Sequence, residues 1–227
     1  MSPPLVDQAA DRLREDLLSG VYRPGAKLKV ESLRSEYGYS SSPLREALNR
    51  LTQEGLVVAD QRRGFRVAPM SDEDFADLTR LRLILDLKAL EESIRFGDDE
   101  WEVASVSAFY RLQKVEARMP DGPLALNAEW SARHKDFHMA LLSATPSSRL
   151  RLMCSNLFDQ AERYRRFSAA YRTDPRSKSG EHEAILNAAV ARDAKEAARL
   201  LSGHISRTQE SVSKILRQDL AAELTAS

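Results

Sequence analysis

The sequence is poor in cysteine, in net charge and in long apolar runs, and each shortage excludes something. Cys154 is the only cysteine among 227 residues, so an intrachain disulfide and a cysteine-built zinc module are both excluded. Its expected place is that of a small buried apolar residue. No run of consecutive apolar residues exceeds four. The sequence therefore holds neither a membrane-spanning helix nor a secretory leader core, and cytoplasmic residence with no membrane partner is the expectation. Nine glycines and nine prolines are too few for a collagen-like or low-complexity chain. Charge balances at 34 basic and 34 acidic residues. That balance argues against a protein that coats nucleic acid indiscriminately, but it leaves room for a local DNA-reading patch. Residues 1–70 hold 11 basic and 9 acidic residues, an excess too small to carry an argument.

The grammar of the chain changes near residue 70. Before it, elements are short and closely punctuated. Leu5 to Leu18 has helical spacing and stops at Ser19-Gly20, Arg23-Pro24-Gly25 is a turn signal, and Val30 to Tyr37 is a second helix closed by Gly38. A third helix is expected over Pro43 to Glu54, with Leu44, Ala47, Leu48 and Leu51 on one face. Ser40, Ser41 and Ser42 offer N-caps there, with Pro43 at the first helical position. Leu56 to Ala59 and Phe65 to Val67 read as strands around a polar turn at Asp60 to Gly64. Three helices followed by a hairpin describe a winged helix-turn-helix. Beyond Ala68-Pro69-Met70 the pattern is helical, with helices expected near 72–96, 99–118, 124–144, 148–171, 177–192 and 194–218. Short breaks between such helices imply antiparallel neighbours in a bundle. The expected fold is mainly α: a winged helix-turn-helix domain over 1–70 and an all-helical antiparallel bundle over 71–227.

A recognition helix needs a rigid start, a slim polar N-terminus that enters the major groove, and cations that reach phosphates or base edges. Ser40 to Arg50 supplies these, with Ser40, Ser41 and Ser42 as phosphate donors and with Arg45 and Arg50 opposite the leucine face. Arg62 and Arg63 sit at the wing turn beside Gly64, which permits close backbone approach. The competing reading is an ordinary surface helix and hairpin. The stretches LREDLLSG, RPGAKL, SPLREALNRL, EGLV and RRGFRV resemble the DNA-binding domain of GntR-superfamily regulators. That resemblance implies that Arg45 and the Ser40–Ser42 turn touch DNA and that the wing enters the neighbouring minor groove. It also implies a homodimer on a near-palindromic double-stranded operator, acting as a repressor. Where this family commonly has Arg directly after the helix-start Ser, this sequence has Ser41, so the operator sequence does not carry over.

The four histidines, His134, His138, His182 and His204, carry the second signal. His134 and His138 share a helix face through i, i+4 spacing, and Trp130, Phe137 and Leu141 continue that face as an apolar stripe. His182 precedes Ile185, Leu186 and Ala189, and His204 lies among Leu200, Leu201 and Ile205. All four are expected to point into the bundle. The alternatives are four separately satisfied core histidines and a shared metal site between helices. A four-nitrogen site suits zinc, nickel or copper better than calcium or magnesium. The second half also resembles the FCD ligand-binding domain of the FadR subfamily, whose members often hold a metal with one Asp and three His. Phe137-His138, His182 and His204 match that pattern, and His134 stands where the family has Asp. The resemblance thus implies a divalent transition metal, zinc or nickel, on His134, His138, His182 and His204.

An ion with an open coordination position can take a carboxylate from a small effector. Arg82 among Leu78, Leu81 and Leu85, with Asp86 four residues on, is the candidate second anchor; a solvated Arg–Asp pair is the plainer reading. Arg163, Arg165 and Arg166 read as a mostly exposed run. The segments RGFRVAPMS, GDDEWE, EWSARHKDFHMAL and LFDQAERYR are similar to those of subfamily repressors of five-carbon acid catabolism. That likeness implies glutarate or 2-hydroxyglutarate as effector. Two other functions stay open: a regulator answering to metal alone, and a four-histidine metalloenzyme. Against the enzyme, no H-E-x-x-H motif is present and no general base stands out.

Overall fold

Apolar residues at helical spacing build the first unit. The structure is a computed structural model describing residues 3–60, 64–119, 124–170 and 179–225, the side chains of 60, 179 and 218–225 excepted. By its internal contacts the chain divides into two compact units, Met1–Ser71 and Asp72–Ser227. In the first, α1 (Leu5–Ser19) precedes a two-residue strand β1 (Lys27–Leu28) and α2 (Val30–Tyr37). Then follow α3 (Ser41–Gln53), β2 (Val57–Asp60) and β3 (Gly64–Val67). Leu13, Leu33, Leu44, Leu48, Leu51 and Leu56 are fully buried and form its core. Arg14 clamps α1 to the end of α3 with two parallel bonds to Glu54, Nε–Oε2 2.9 Å and Nη2–Oε1 2.8 Å.

Two local expectations are corrected here. Helix α3 starts at Ser41, so Pro43 lies inside the first turn, and the N-cap Ser40 makes no side-chain capping bond. Pro43 is tolerated because the first four N–H groups of a helix have no intrahelical acceptor. The sheet also has three strands, not two, in the antiparallel order β1-β3-β2, with Lys27 and Val58 both opposite Arg66. A two-residue strand is too short to show alternation, and its place is fixed by neighbouring backbone bonds such as Val67 N–H to Ala26 O, 2.9 Å.

The second unit is helical: α4 (Asp72–Phe96), α5 (Asp99–Glu116), a 3-10 turn (Leu124–Leu126), α6 (Ala128–Leu141), α7 (Ser148–Ala170), α8 (Ser179–Val190) and α9 (Ala194–Thr225). Short polar side chains set two of the starts. Asp98 accepts from Trp101 N at 3.0 Å, and Asn127 accepts from Trp130 N at 2.8 Å. The Asn127 cap explains why the expected helix at 124–144 splits into the 3-10 turn and α6. At the end of α4, Arg192 donates to the carbonyls of Ile94 and Gly97 at 3.0 and 2.9 Å, serving C-terminal acceptors that the helix leaves open. Asp72, the first residue of α4, binds Ser213 and Arg217 of α9, the latter at 2.7 Å. No described helix is long and apolar enough to cross a membrane.

Helix α7 overturns one expectation. Arg163, Arg165 and Arg166 are buried, at 6%, 4% and 9% exposure. The reason is position: α4, α6 and α9 all pack on α7, so a polar sequence is enclosed on several sides. Its charges go inside as helix-spaced pairs. Glu162 takes Arg165 on Oε2 (Nη2 at 2.7 Å) and Arg166 on Oε1 (Nε at 3.1 Å). Burial raises the Glu162 pKa, but Arg165 chiefly, with Ser131 and Arg166, outweighs it and holds the carboxyl below its ordinary range. Removing one partner of a buried pair strands the other, at about 3–5 kcal/mol. Glu162→Gln is therefore expected to lower the Tm of the helical unit by roughly 10 °C, measured by circular dichroism; an unchanged Tm would show that the arginines find other acceptors.

Candidate functional site

Three helices bring the histidines together. Helix α6 supplies His134 and His138 one turn apart, α8 supplies His182, and α9 supplies His204. All are buried, at 1%, 4%, 0% and 4% exposure. Each offers a ring nitrogen, and the four offered nitrogens lie within 4.8 Å of one another. Ring centroids are 4.7 Å apart for His134–His138, 5.0 Å for His134–His182 and 4.8 Å for His182–His204. Trp130 stacks on His134 at 4.4 Å and fixes that ring from behind.

The donor set fits a metal ion. A tetrahedral zinc with Zn–N bonds of about 2.0–2.1 Å sets neighbouring nitrogens about 3.3 Å apart, and His134 Nε2 and His138 Nε2 are 3.1 Å apart. His138 is also biased toward the neutral form that binds metal. Burial, then the neighbouring His204, His182, Arg82 and Arg165, pushes the His138 pKa well below its ordinary value. His204 Nδ1 lies 2.8 Å from Glu181 Oε2, and Arg207 Nε donates to Glu181 Oε1 at 2.9 Å. Glu116 Oε1 accepts from Trp130 Nε1 at 3.1 Å and lies 4.0 Å from His182 Nδ1.

Against the histidines, on α7, stands Phe158, its ring 5.4 Å from both His134 and His138. Two guanidinium groups lie over the same ring, Arg82 at 5.4 Å and Arg165 at 4.2 Å. The Arg82–Asp86 pair is buried, at 5% and 2% exposure, rather than solvated. Both Nε and Nη2 of Arg82 reach Asp86 Oδ2, at 3.0 and 2.9 Å. Cys154 is buried as expected, and burial with nearby Asp86 pushes its thiol up to about 12, so it behaves as an inert core residue. Sequence reasoning missed Phe158, Arg165 and Glu162. The available signal was the E-x-x-R-R spacing at 162–166, which pairs charges along one helix and does not tell buried from exposed. Asp136, near the histidines in sequence, pairs with exposed Arg133 at 3.0 Å and lies off the site.

In the first unit, Ser40, Ser42 and Arg45 are exposed and Ser41 is half-buried at the start of α3. Ser42 Oγ donates to Glu46 at 3.2 Å. Arg50 lies at the far end of α3 and pairs with Asp7 of α1 at 2.7 Å, so it is not grouped with Arg45. Gly64 is exposed and left-handed, φ 81°, a conformation that side chains other than glycine's strain to adopt. Arg62 and Arg63 lie outside the described residues.

A winged three-helix unit followed by a helical unit with four buried histidines fits the architecture of transcription regulators. The comparisons make the class definite: residues 5–67 match the bacterial regulatory proteins of the gntR family, and residues 77–207 match the FCD domain. The chain belongs to the GntR family, FadR subfamily, and is a transcriptional regulator rather than an enzyme. It is 38% identical to the uncharacterized HTH-type transcriptional regulator BphR of Paraburkholderia xenovorans (strain LB400), over 94% of this chain and 86% of that one. It is 34% identical to the HTH-type transcriptional repressor GlaR of Escherichia coli (strain K12), over 85% and 89%. Among solved structures, E. coli McbR/YncC shares the fold with a TM-score of 0.75 at 20% identity, covering 96% of this chain and all of that one. FCD domains often bind metal.

Binding to the folded state alone stabilises it, by about 4 kcal/mol at a thousandfold excess over Kd. Zinc is therefore expected to raise the Tm of chelator-stripped protein by on the order of 10 °C. In the His138→Ala/His182→Ala variant the shift is expected to vanish, along with the metal measured in the purified protein. A variant that keeps its metal content would remove these residues as ligands.

Proposed function

We propose that this protein is a homodimeric, metal-containing repressor whose grip on a near-palindromic operator is controlled by a small carboxylate. The observation that carries the reading is the convergence of four buried imidazoles beside the buried Arg82, in a chain whose other unit is a winged helix. Residues 1–70 would read DNA, and residues 71–227 would bind metal and effector and dimerise. Ser40, Ser41 and Ser42 at the open N-terminus of α3 suit phosphate contacts, and exposed Arg45 suits a base edge or phosphate. Gly64 and the neighbouring Arg62 and Arg63 are assigned to the minor groove. Arg50, engaged with Asp7, has a supporting part from the backbone side.

In the helical unit His134, His138, His182 and His204 would hold a divalent transition ion, zinc or nickel. Such an ion, expanding from four ligands to five, would accept one carboxylate oxygen as a Lewis acid. Arg82 would receive the rest of the effector's negative charge, with Asp86 fixing the guanidinium by its two bonds. A five-carbon dicarboxylate such as glutarate or 2-hydroxyglutarate suits this pairing of cation and guanidinium. A second copy of the chain is required because a palindrome presents two half-sites to two identical readers. Exposed Leu81 and Ile84 on α4, with Leu152 and Met153 on the adjoining α7, give the bundle apolar surface for such a contact. The effector shifts the dimer between DNA-competent and DNA-incompetent forms only as far as its affinities for the two differ.

The test is fluorescence anisotropy with a duplex from upstream of the protein's own gene, against a scrambled duplex at fixed salt. Wild type is expected to prefer the upstream duplex, and Arg45→Ala to weaken that complex by about tenfold or more. A loss of under twofold would refute the assigned role of Arg45. Adding glutarate or 2-hydroxyglutarate to the metal-loaded protein is expected to release the duplex, and Arg82→Met to abolish that release while metal stays bound. Release by chelator with no response to any carboxylate would identify a regulator that answers to metal alone.

A further inference from the structure

Four imidazoles are neutral ligands, so an ion held by them brings two positive charges into a space where every ligand is at most 4% exposed. Arg82 and Arg165, over the Phe158 ring that faces His134 and His138, make that side more positive still. Buried charge of one sign needs a partner of the other. None of the four ligands supplies it; Asp86 and Glu162 bond to arginines, whereas Glu181 also meets a ring of the site directly. Among the described carboxylates, Glu116 lies against His182 and Glu181 against His204. Resting on the metal reading above, we propose that Glu181 is the positioning carboxylate of the metal centre, which orients His204 for ligation and supplies charge that the neutral ligand set lacks.

The geometry is specific. Glu181 Oε2 lies 2.8 Å from His204 Nδ1. A carboxylate at that distance places the ring proton on Nδ1, leaving Nε2 bare as the ligating atom and more basic. Glu181 Oε1 accepts from Arg207 Nε at 2.9 Å, so each oxygen has its own partner and the carboxylate cannot turn without breaking one bond. Arg207 lies one turn beyond His204 on α9, so this second bond joins α8 to α9 without passing through the ring. Glu116 occupies the matching place for His182, at 4.0 Å from Nδ1. That is beyond hydrogen-bond reach but close enough to act through its charge. Glu181 on α8 and Glu116 on α5 thus stand against His204 and His182, and Arg82 on α4 and Arg165 on α7 against the Phe158 ring.

A rival account makes Glu181 a clasp between α8 and α9 through Arg207, with no bearing on metal. The two are separated by measuring zinc affinity of the full chain by competition with a chromogenic chelator, and Tm with and without zinc. Glu181→Gln is expected to weaken zinc binding by about 10- to 100-fold, with the metal-free Tm close to wild type. Arg207→Met, which cuts the clasp and leaves Glu181 on His204, is expected to stay within about threefold of wild type. Equal losses from both variants would establish the clasp and overturn the proposal, as would a Glu181→Gln affinity within twofold of wild type. A wild-type protein that takes up no zinc or nickel would bring down the metal reading itself, and this inference with it.

Discussion

The helical unit is organised around one constraint: four imidazoles must share a dry space a few ångströms across. Apolar packing does not by itself put four polar rings together, because each buried nitrogen without a partner costs free energy. The surroundings answer that need. Trp130 backs His134, Phe158 faces His134 and His138, and Glu181 grips His204. The caps that start α5 and α6, at Asp98 and Asn127, set where those helices begin and hence which faces turn inward. Even the buried ion pairs of α4 and α7 belong to this layer, since Arg82 and Arg165 both act on the electrostatics of His138.

How much of this the sequence shows depends on the length of the signal. The helix order and the inward turn of all four histidines are readable because each rests on periodicity over several turns. The match of α4 at Asp72–Phe96 follows from acidic residues at its start and Gly97 at its end. What escapes are features that depend on contacts remote in sequence. Strand β1 exists because β3 pairs with it, and Lys27-Leu28 alone says nothing. Arg165 and Arg166 look like solvated charges, since E-x-x-R-R is equally good grammar on an exposed helix. Only the packing of neighbouring helices on α7 decides otherwise. Glu181 is adjacent to His182 in sequence yet serves His204, 23 residues away, a pairing that only the crossing of α8 and α9 reveals.

The two units solve different problems with similar means. In the winged unit charges sit outside, and the bidentate Arg14–Glu54 pair ties α1 to α3, so that the exposed start of α3 is presented by a rigid frame. In the helical unit charges go inside, where they hold imidazoles, carboxylates and guanidiniums in register for a ligand.

Helix α9 has a mechanical property of its own. It runs unbroken from Ala194 to Thr225, with His204 near one end and Arg217 further along, where Arg217 and Ser213 meet Asp72. Thirteen residues of α-helix span about 20 Å at 1.5 Å each, and a hydrogen-bonded helix does not compress appreciably along its axis. A displacement of His204 along that axis would therefore reach the Arg217–Asp72 contact, at the first residue of α4, almost undiminished. Arg217 is largely exposed, so this contact adds little to folding stability. Its significance is mechanical: one stiff backbone carries both His204 and the contact that reaches the start of α4.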